Sequence, residues 1–178
     1  MKEMNGATQP MKRHQFAFAV ILAYLWLTMV LLGANIFETF IIYPNIFHNV
    51  PQSLDTAMAF MTVRGPADFF PLIGGMALLT GIGAVLLSWN VTAVRYWFVG
   101  SVVIVIVGQF LLSVAFFWPR NTIMFVEGPA VHSAATLQQT AREFQTGHWV
   151  RLAMSAVAPA VAFVGFLKFY RHRITAKE

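Results

Sequence analysis

Phe16 to Ala34 reads FAFAVILAYLWLTMVLLGA, nineteen residues without a charge. A helix needs about 20 apolar residues to cross the ~30 Å hydrocarbon core of a bilayer, so this stretch predicts a membrane span. Further charge-free runs go from Phe69 to Val94, Tyr96 to Pro119 and Leu152 to Leu167. Trimmed at polar residues and Gly/Pro, they predict spans near 16–34, 70–88, 96–118 and 150–168. The expected fold is all-α: an integral membrane four-helix bundle forming a single domain over residues 1–178, with two long outer loops carrying short helices. A cleaved signal peptide has a shorter apolar region followed by small residues. Asn35, Ile36, Phe37 and Glu38 follow here, so the first span is expected to be retained.

Composition agrees. Of 178 residues 58% are hydrophobic and only 11% charged, against about 25% charged in soluble domains. The net charge of +5 is gathered between uncharged runs rather than spread over a face, which excludes a nucleic-acid partner and predicts contact with membrane lipids. The absence of cysteine removes disulfides, thiolate nucleophiles, iron-sulfur clusters and covalent haem attachment. Chemistry is left to His, carboxylate, Arg and amide groups.

Lys and Arg set the expected orientation. Lys2, Lys12, Arg13, Arg95, Lys168, Arg171, Arg173 and Lys177 fall on one side, and Arg64, Arg120, Arg142 and Arg151 on the other. Positive charge concentrates in the cytoplasm, so both termini are predicted to be cytoplasmic, with Trp89 and Trp97 at the inner interface and Trp118 and Trp149 at the outer one. The tails, Met1 to Gln15 and Ile174 to Glu178, are expected to be mobile. The inner turn, about 89–95, is short, whereas the outer connections each hold some thirty residues. In the first, Tyr43-Pro44 and Val50-Pro51 punctuate the chain and Leu54 to Val63 predicts a short interfacial helix. In the second, Gly128-Pro129 breaks the chain and His132 to Gln145 predicts a helix running into the last span.

Membrane helices pack through small residues and turn polar groups inward. In the fourth span His148, Arg151, Ser155, Ala158, Ala162 and Gly165 share a face. In the second, Gly74, Ala77, Gly81, Ala84 and Ser88 do, which predicts that these two spans pack together. Pro159 predicts a kink. The outer helix ends carry Asn35 and Glu38, Arg64 and Asp68, Arg120 and Asn121, and His148 and Arg151. Together they suggest an outward-facing pocket with a polar rim over many Phe side chains. Glu38 with Arg151, and Asp68 with Arg64 or Arg120, fit either structural ion pairs or a reacting site. His148 fits a base or an interfacial hydrogen-bonding residue. No two of His48, His132, His148 and Glu38 have helical metal-ligand spacing, so no metal is expected.

The run Phe117-Trp118-Pro119-Arg120-Asn121, followed by Glu143-Phe144 and Gly147-His148-Trp149-Val150-Arg151, resembles the DUF1772 or anthrone-oxygenase-like family of four-helix membrane proteins. That family carries a Pro-x-Asn after the third helix and a His-x-x-Arg entering the fourth. Pro119, Asn121, His148 and Arg151 match, while a Trp expected four residues before the histidine is Phe144 here. The resemblance covers roughly Leu31 to Phe166. It implies cofactor-independent oxygenation of an anthrone-like flat aromatic molecule, with His148 as base, Arg151 and Asn121 as donors to the developing enolate, and Glu38 orienting the imidazole or pairing with Arg151. Two other classes fit the sequence: an accessory or scaffold subunit of a larger membrane complex or homo-oligomer, and a quinone- or pigment-binding protein.

Overall fold

The apolar runs become helices, and the helices outlast the runs. A computed structural model describes residues 8–175, all of whose regular elements are helical. Helix α1 comprises Thr8–Phe37, a π-helical turn at Glu38–Ile42 and a last turn, Tyr43–Ile46. Short α2 is Gln52–Phe60, and α3 is Pro66–Leu87. Helix α4, Thr92–Val131, and helix α5, Ala134–Thr175, are 40 and 42 residues long. At about 1.5 Å per residue both are roughly twice the length that a ~30 Å hydrocarbon core requires. Four of these helices are long and apolar enough to cross a membrane, and the chain is a multi-pass integral membrane four-helix bundle. The tail expected to be mobile is helical from Thr8 onward; Met1–Ala7 and residues 176–178, with Lys2 and Lys177, lie outside the described residues.

Around the bundle the order is α1, α3, α4, α5 and back to α1. The expected pairing of spans two and four is therefore corrected: α3 and α5 face each other across the diagonal. Both small-residue stripes are buried, but each meets other neighbours. A Cβ on Gly81 would come within 2.8 Å of Tyr24 on α1 and Val102 on α4, and Gly165 approaches Trp97 and Phe98 of α4. Small residues mark a close approach; they do not name the partner.

Two apolar cores result. The lower, at the end of the tight 88–91 turn, joins Ile21, Tyr24, Ala84, Phe98, Val102 and Ala162. The upper joins Tyr43, Val50, Leu54, Phe117, Met124 and Phe144, drawn from the ends of α1, α4 and α5 and from α2. This upper part is a helical cap above the first turn of α3. The second long connection is the last stretch of α4, bent at Gly128 where φ is +55°, and the short turn at 132–133 that leads into α5.

Prolines explain why α1 and α4 continue where the sequence suggested breaks. A proline lacks an N–H and its ring crowds the backbone one turn earlier. Pro44, Pro119 and Pro129 each sit two residues beyond the end of a π-helical turn, at Glu38–Ile42, Ser113–Phe117 and Thr122–Glu127. The residue before each proline closes the wider turn: Tyr43 N–H to Glu38 O, Trp118 N–H to Ser113 O and Gly128 N–H to Ile123 O. At Pro44 and Pro119 one extra residue per turn makes room for the ring, and the helix passes through; at Pro129 the chain does break, because Gly128 leaves helical geometry at φ 55° and ψ −154°. A fourth π-turn, Ile106–Leu111, contains Gly108, whose missing side chain admits Met154 of α5.

Candidate functional site

Between the two cores lies a polar layer, built where α1, α4 and α5 face one another. Asn35 is wholly buried, His148 is 1% exposed, Glu38 5% and Arg151 7%. Helical spacing puts Asn35 and Glu38 on one face of α1 and His148 and Arg151 on one face of α5.

Arg151 is held from two sides. One guanidinium nitrogen, Nη2, donates to Ser113 Oγ at 2.7 Å, and the guanidinium carbon stands 3.6 Å from the centre of the Phe117 ring. Ser113 Oγ in turn donates to the Gln109 carbonyl, and the Gln109 amide donates to Ser155 Oγ at 2.7 Å. Gln109 and Ser113 on α4 thus pair rung by rung with Ser155 and Arg151 on α5. The interhelical role expected of such a glutamine is the one it has.

His148 Nε2 faces the Asn35 carbonyl at 3.4 Å. A carbonyl only accepts, so Nε2 carries the hydrogen and Nδ1 presents its lone pair. That Nδ1 has no partner, and neither do Asn35 Oδ1, Glu38 Oε1, Glu38 Oε2 or Arg151 Nε. Buried polar atoms are ordinarily satisfied, and here five orphans gather on four neighbouring side chains. Glu38 and Arg151 form no ion pair within 4 Å; the pairs among the described residues are Arg64 with Asp68, Arg120 with Glu143 and His132 with Glu127. Arg120 therefore answers Glu143 rather than Asp68.

Aromatic side chains close the layer from above. The Tyr43 ring meets His148 edge-on at 4.5 Å and Phe144 at 5.3 Å. Phe117 lies 4.9 Å from Phe144, and Phe47 covers Tyr43 and Phe144 at 5.6 and 5.7 Å. The expected order is reversed: polar groups lie beneath and the rings above. Of the residues singled out in the sequence, Glu38, His148 and Arg151 come together. Asn121 does not join them by any hydrogen bond; it is partly buried, one turn beyond Phe117. His48 is exposed, with its Nδ1 at 2.7 Å from the Asn45 carbonyl, and the described residues hold no cluster of three or more His, Asp or Glu that could bind a metal.

No protein-family model matches the chain, and neither a curated protein nor a solved structure does. The site's own geometry must carry any functional reading. Sequence reasoning put Asn35 beside Glu38 at the rim but gave no role to Tyr43, Ser113 or Phe117; the two rings were lost among seventeen phenylalanines and four tyrosines.

Proposed function

We propose that the polar layer binds a flat, hydroxyl-bearing aromatic molecule and removes a proton from it, as an anthrone-type oxygenase working without a cofactor does. The observation that carries this reading is the set of unpartnered buried atoms. Four are acceptors, Asn35 Oδ1, both Glu38 oxygens and His148 Nδ1, against one unpartnered donor, Arg151 Nε, with the Tyr43 hydroxyl the nearest other donor to Glu38. Leaving such atoms dry costs roughly 1–3 kcal/mol each, so the layer favours an occupant rich in O–H donors. The covering rings of Tyr43, Phe117 and Phe144 suit an aromatic body.

In this reading His148 Nδ1 takes a proton from the methylene between two phenolic rings. The carbanion delocalises onto the ring carbonyl, whose oxygen gains charge beside Arg151 Nε. Dioxygen accepts electrons from that carbon, a C–O bond forms, and the returning proton gives a hydroperoxide. Loss of the remaining C–H proton and of hydroxide breaks the O–O bond, so that CH2 and O2 become C=O and H2O. Arg151 rather than Asn121 is the donor here.

Oxygen uptake with an anthrone by the detergent-purified protein tests the reading. His148→Ala should lower the rate by about 100-fold or more, the usual reach of general base catalysis; full activity in that variant overturns the assignment. An absorption band in the purified protein would favour pigment or quinone binding, and persistent co-purifying subunits an accessory role. The Lys and Arg distribution further supports cytoplasmic termini. Cysteines placed at the exposed Thr56 and Thr136 should then react with an impermeant thiol reagent from outside, and one at Thr92 should not.

A further inference from the structure

A cleft of about 170 Å³ opens on the cap between the turn at 47–50 and the first turns of α5. Its walls include His48, Asn49, Gln138, Arg142 and Gln145, and its floor is Phe47. The lining is polar, and the helix beside it is polar too: Gln138, Gln139, Arg142 and Gln145 follow one another on α5. This is a water-facing surface, unlike the groove of Phe16, Val20, Leu79 and Leu86 at the other end of the molecule, which faces lipid.

Phe47 belongs to both places. On one side it lines the cleft; on the other it covers Tyr43 and Phe144, and Tyr43 lies directly on His148. A column of rings, Phe47 then Tyr43, is all that the contacts show between a polar cleft and buried polar atoms that lack partners. We propose that this cleft is the aqueous entrance to the polar layer and that Phe47 is its gate.

Local structure fits such a gate. Phe47 stands where α1 ends, with φ −108° and ψ 11°, so its backbone is outside the helix it follows. The turn that carries it is tied to α5 by a hydrogen bond from Gln138 Nε2 to the Val50 carbonyl at 3.0 Å. Swinging the 47–50 turn outward breaks that bond and withdraws Val50 from the upper core, while the lower core and the Ser113–Arg151 contact stay in place. Arg142 and the amides of the cleft would receive the polar end of an entering molecule while its rings slide along Phe47. The inference rests on the proposed function only in giving the layer a visitor; the route itself can be tested without turnover.

The chain has no cysteine, so one thiol reports on one place. Asn35→Cys puts a thiol at a wholly buried position of the layer, against His148, and Thr136→Cys puts one on the exposed start of α5 as a reference. A permanently charged, water-soluble thiol reagent and a lipid-partitioning maleimide are compared on the protein in nanodiscs, with the thermal transition recorded for each variant. With Phe47→Ala, the charged reagent should modify the buried thiol at position 35 about tenfold faster, the factor expected from losing ring contacts of this kind. The rate at the reference thiol should not change, and Phe40→Ala, which removes an exposed ring packed on Trp149 and away from the cleft, should leave the buried thiol as slow as before. Preferential modification of the buried thiol by the maleimide, unaffected by Phe47→Ala, would place the entrance in the bilayer and overturn the proposal. So would a buried thiol that neither reagent reaches in either background. Loss of oxygen uptake with the gating effect intact would instead remove the proposed chemistry and leave the entrance standing.

Discussion

In the lower core every buried polar side chain finds a partner nearby. Ser101 Oγ donates to the Ala158 carbonyl at 2.8 Å, which leaves it to accept from the Tyr24 hydroxyl at 2.7 Å. Thr28 and Ser88 donate to the carbonyls of Leu25 and Ala84 on their own helices. One layer higher, Asn35, Glu38, His148 and Arg151 bury five atoms that have none. Hydrocarbon offers no substitute for a missing hydrogen bond, so the lower arrangement is what holding helices together in lipid demands. The upper one, beneath the cap, does not meet that demand. The polar groups of the first stabilise the fold; burying those of the second costs it stability.

That contrast can be broken most forcefully at its upper edge. Gly147 lies so close against the Phe116 ring that no Cβ fits, and Arg120 rests on that same ring at 3.6 Å while bonding Glu143. Gly147→Ala should therefore destabilise the protein by about 3 kcal/mol, the upper part of the overpacking range, with the cap loosening first in hydrogen exchange. In the lower core Gly81→Ala should cost about 2 kcal/mol by the same mechanism, because Tyr24 and Val102 must both retreat; an unchanged thermal transition in detergent would mean that α1 and α4 do not meet α3 there.

The next pair of effects should differ in sign. Glu38→Met removes a buried carboxylate that makes no ion pair and has only the Tyr43 hydroxyl near it, and should raise the stability of the protein by about 1.5 kcal/mol, within the cost of burying an unsatisfied group. A loss of roughly 3–5 kcal/mol, as when a buried ion pair is broken, would show that Glu38 does pair with Arg151 and would erase the difference between the layers. Tyr24→Phe removes a bond that is made, and should lower stability by about 1 kcal/mol. Both are read from denaturant midpoints in the same detergent.

The spans were legible because uncharged runs of that length have few other uses, and Glu38, His148 and Arg151 were legible because ionisable residues beside such runs need a reason. Helix pairing was not. The stripes through Gly81 and Ala158 are equally small, and nothing along either chain segment records that Tyr24 and Val102, rather than the other stripe, fill the space. The reach of α1 and α4 was hidden as well: Pro44 and Pro119 read as stops, because a sequence shows the proline and not the extra residue in the turn before it. The depth of the polar layer followed from the same oversight. Once α1, α4 and α5 continue upward, their polar positions are covered by Tyr43, Phe117 and Phe144 instead of standing at a rim.

The π-turns also make the cap's geometry a matter of counting. Each one is an α-helix carrying a single added residue, and one residue is about 100° of rotation in a helix of 3.6 residues per turn. Deleting Val114 or Ala115 from the Ser113–Phe117 turn keeps the phase in which Arg120 meets Glu143 but takes away the room that the Pro119 ring occupies. Pro119→Ala does the opposite: it keeps the residue and removes the ring that the wide turn accommodates, so rewinding would carry Arg120 away from Glu143. In α4, then, each change alone is disruptive, and the deletion combined with Pro119→Ala is the milder lesion.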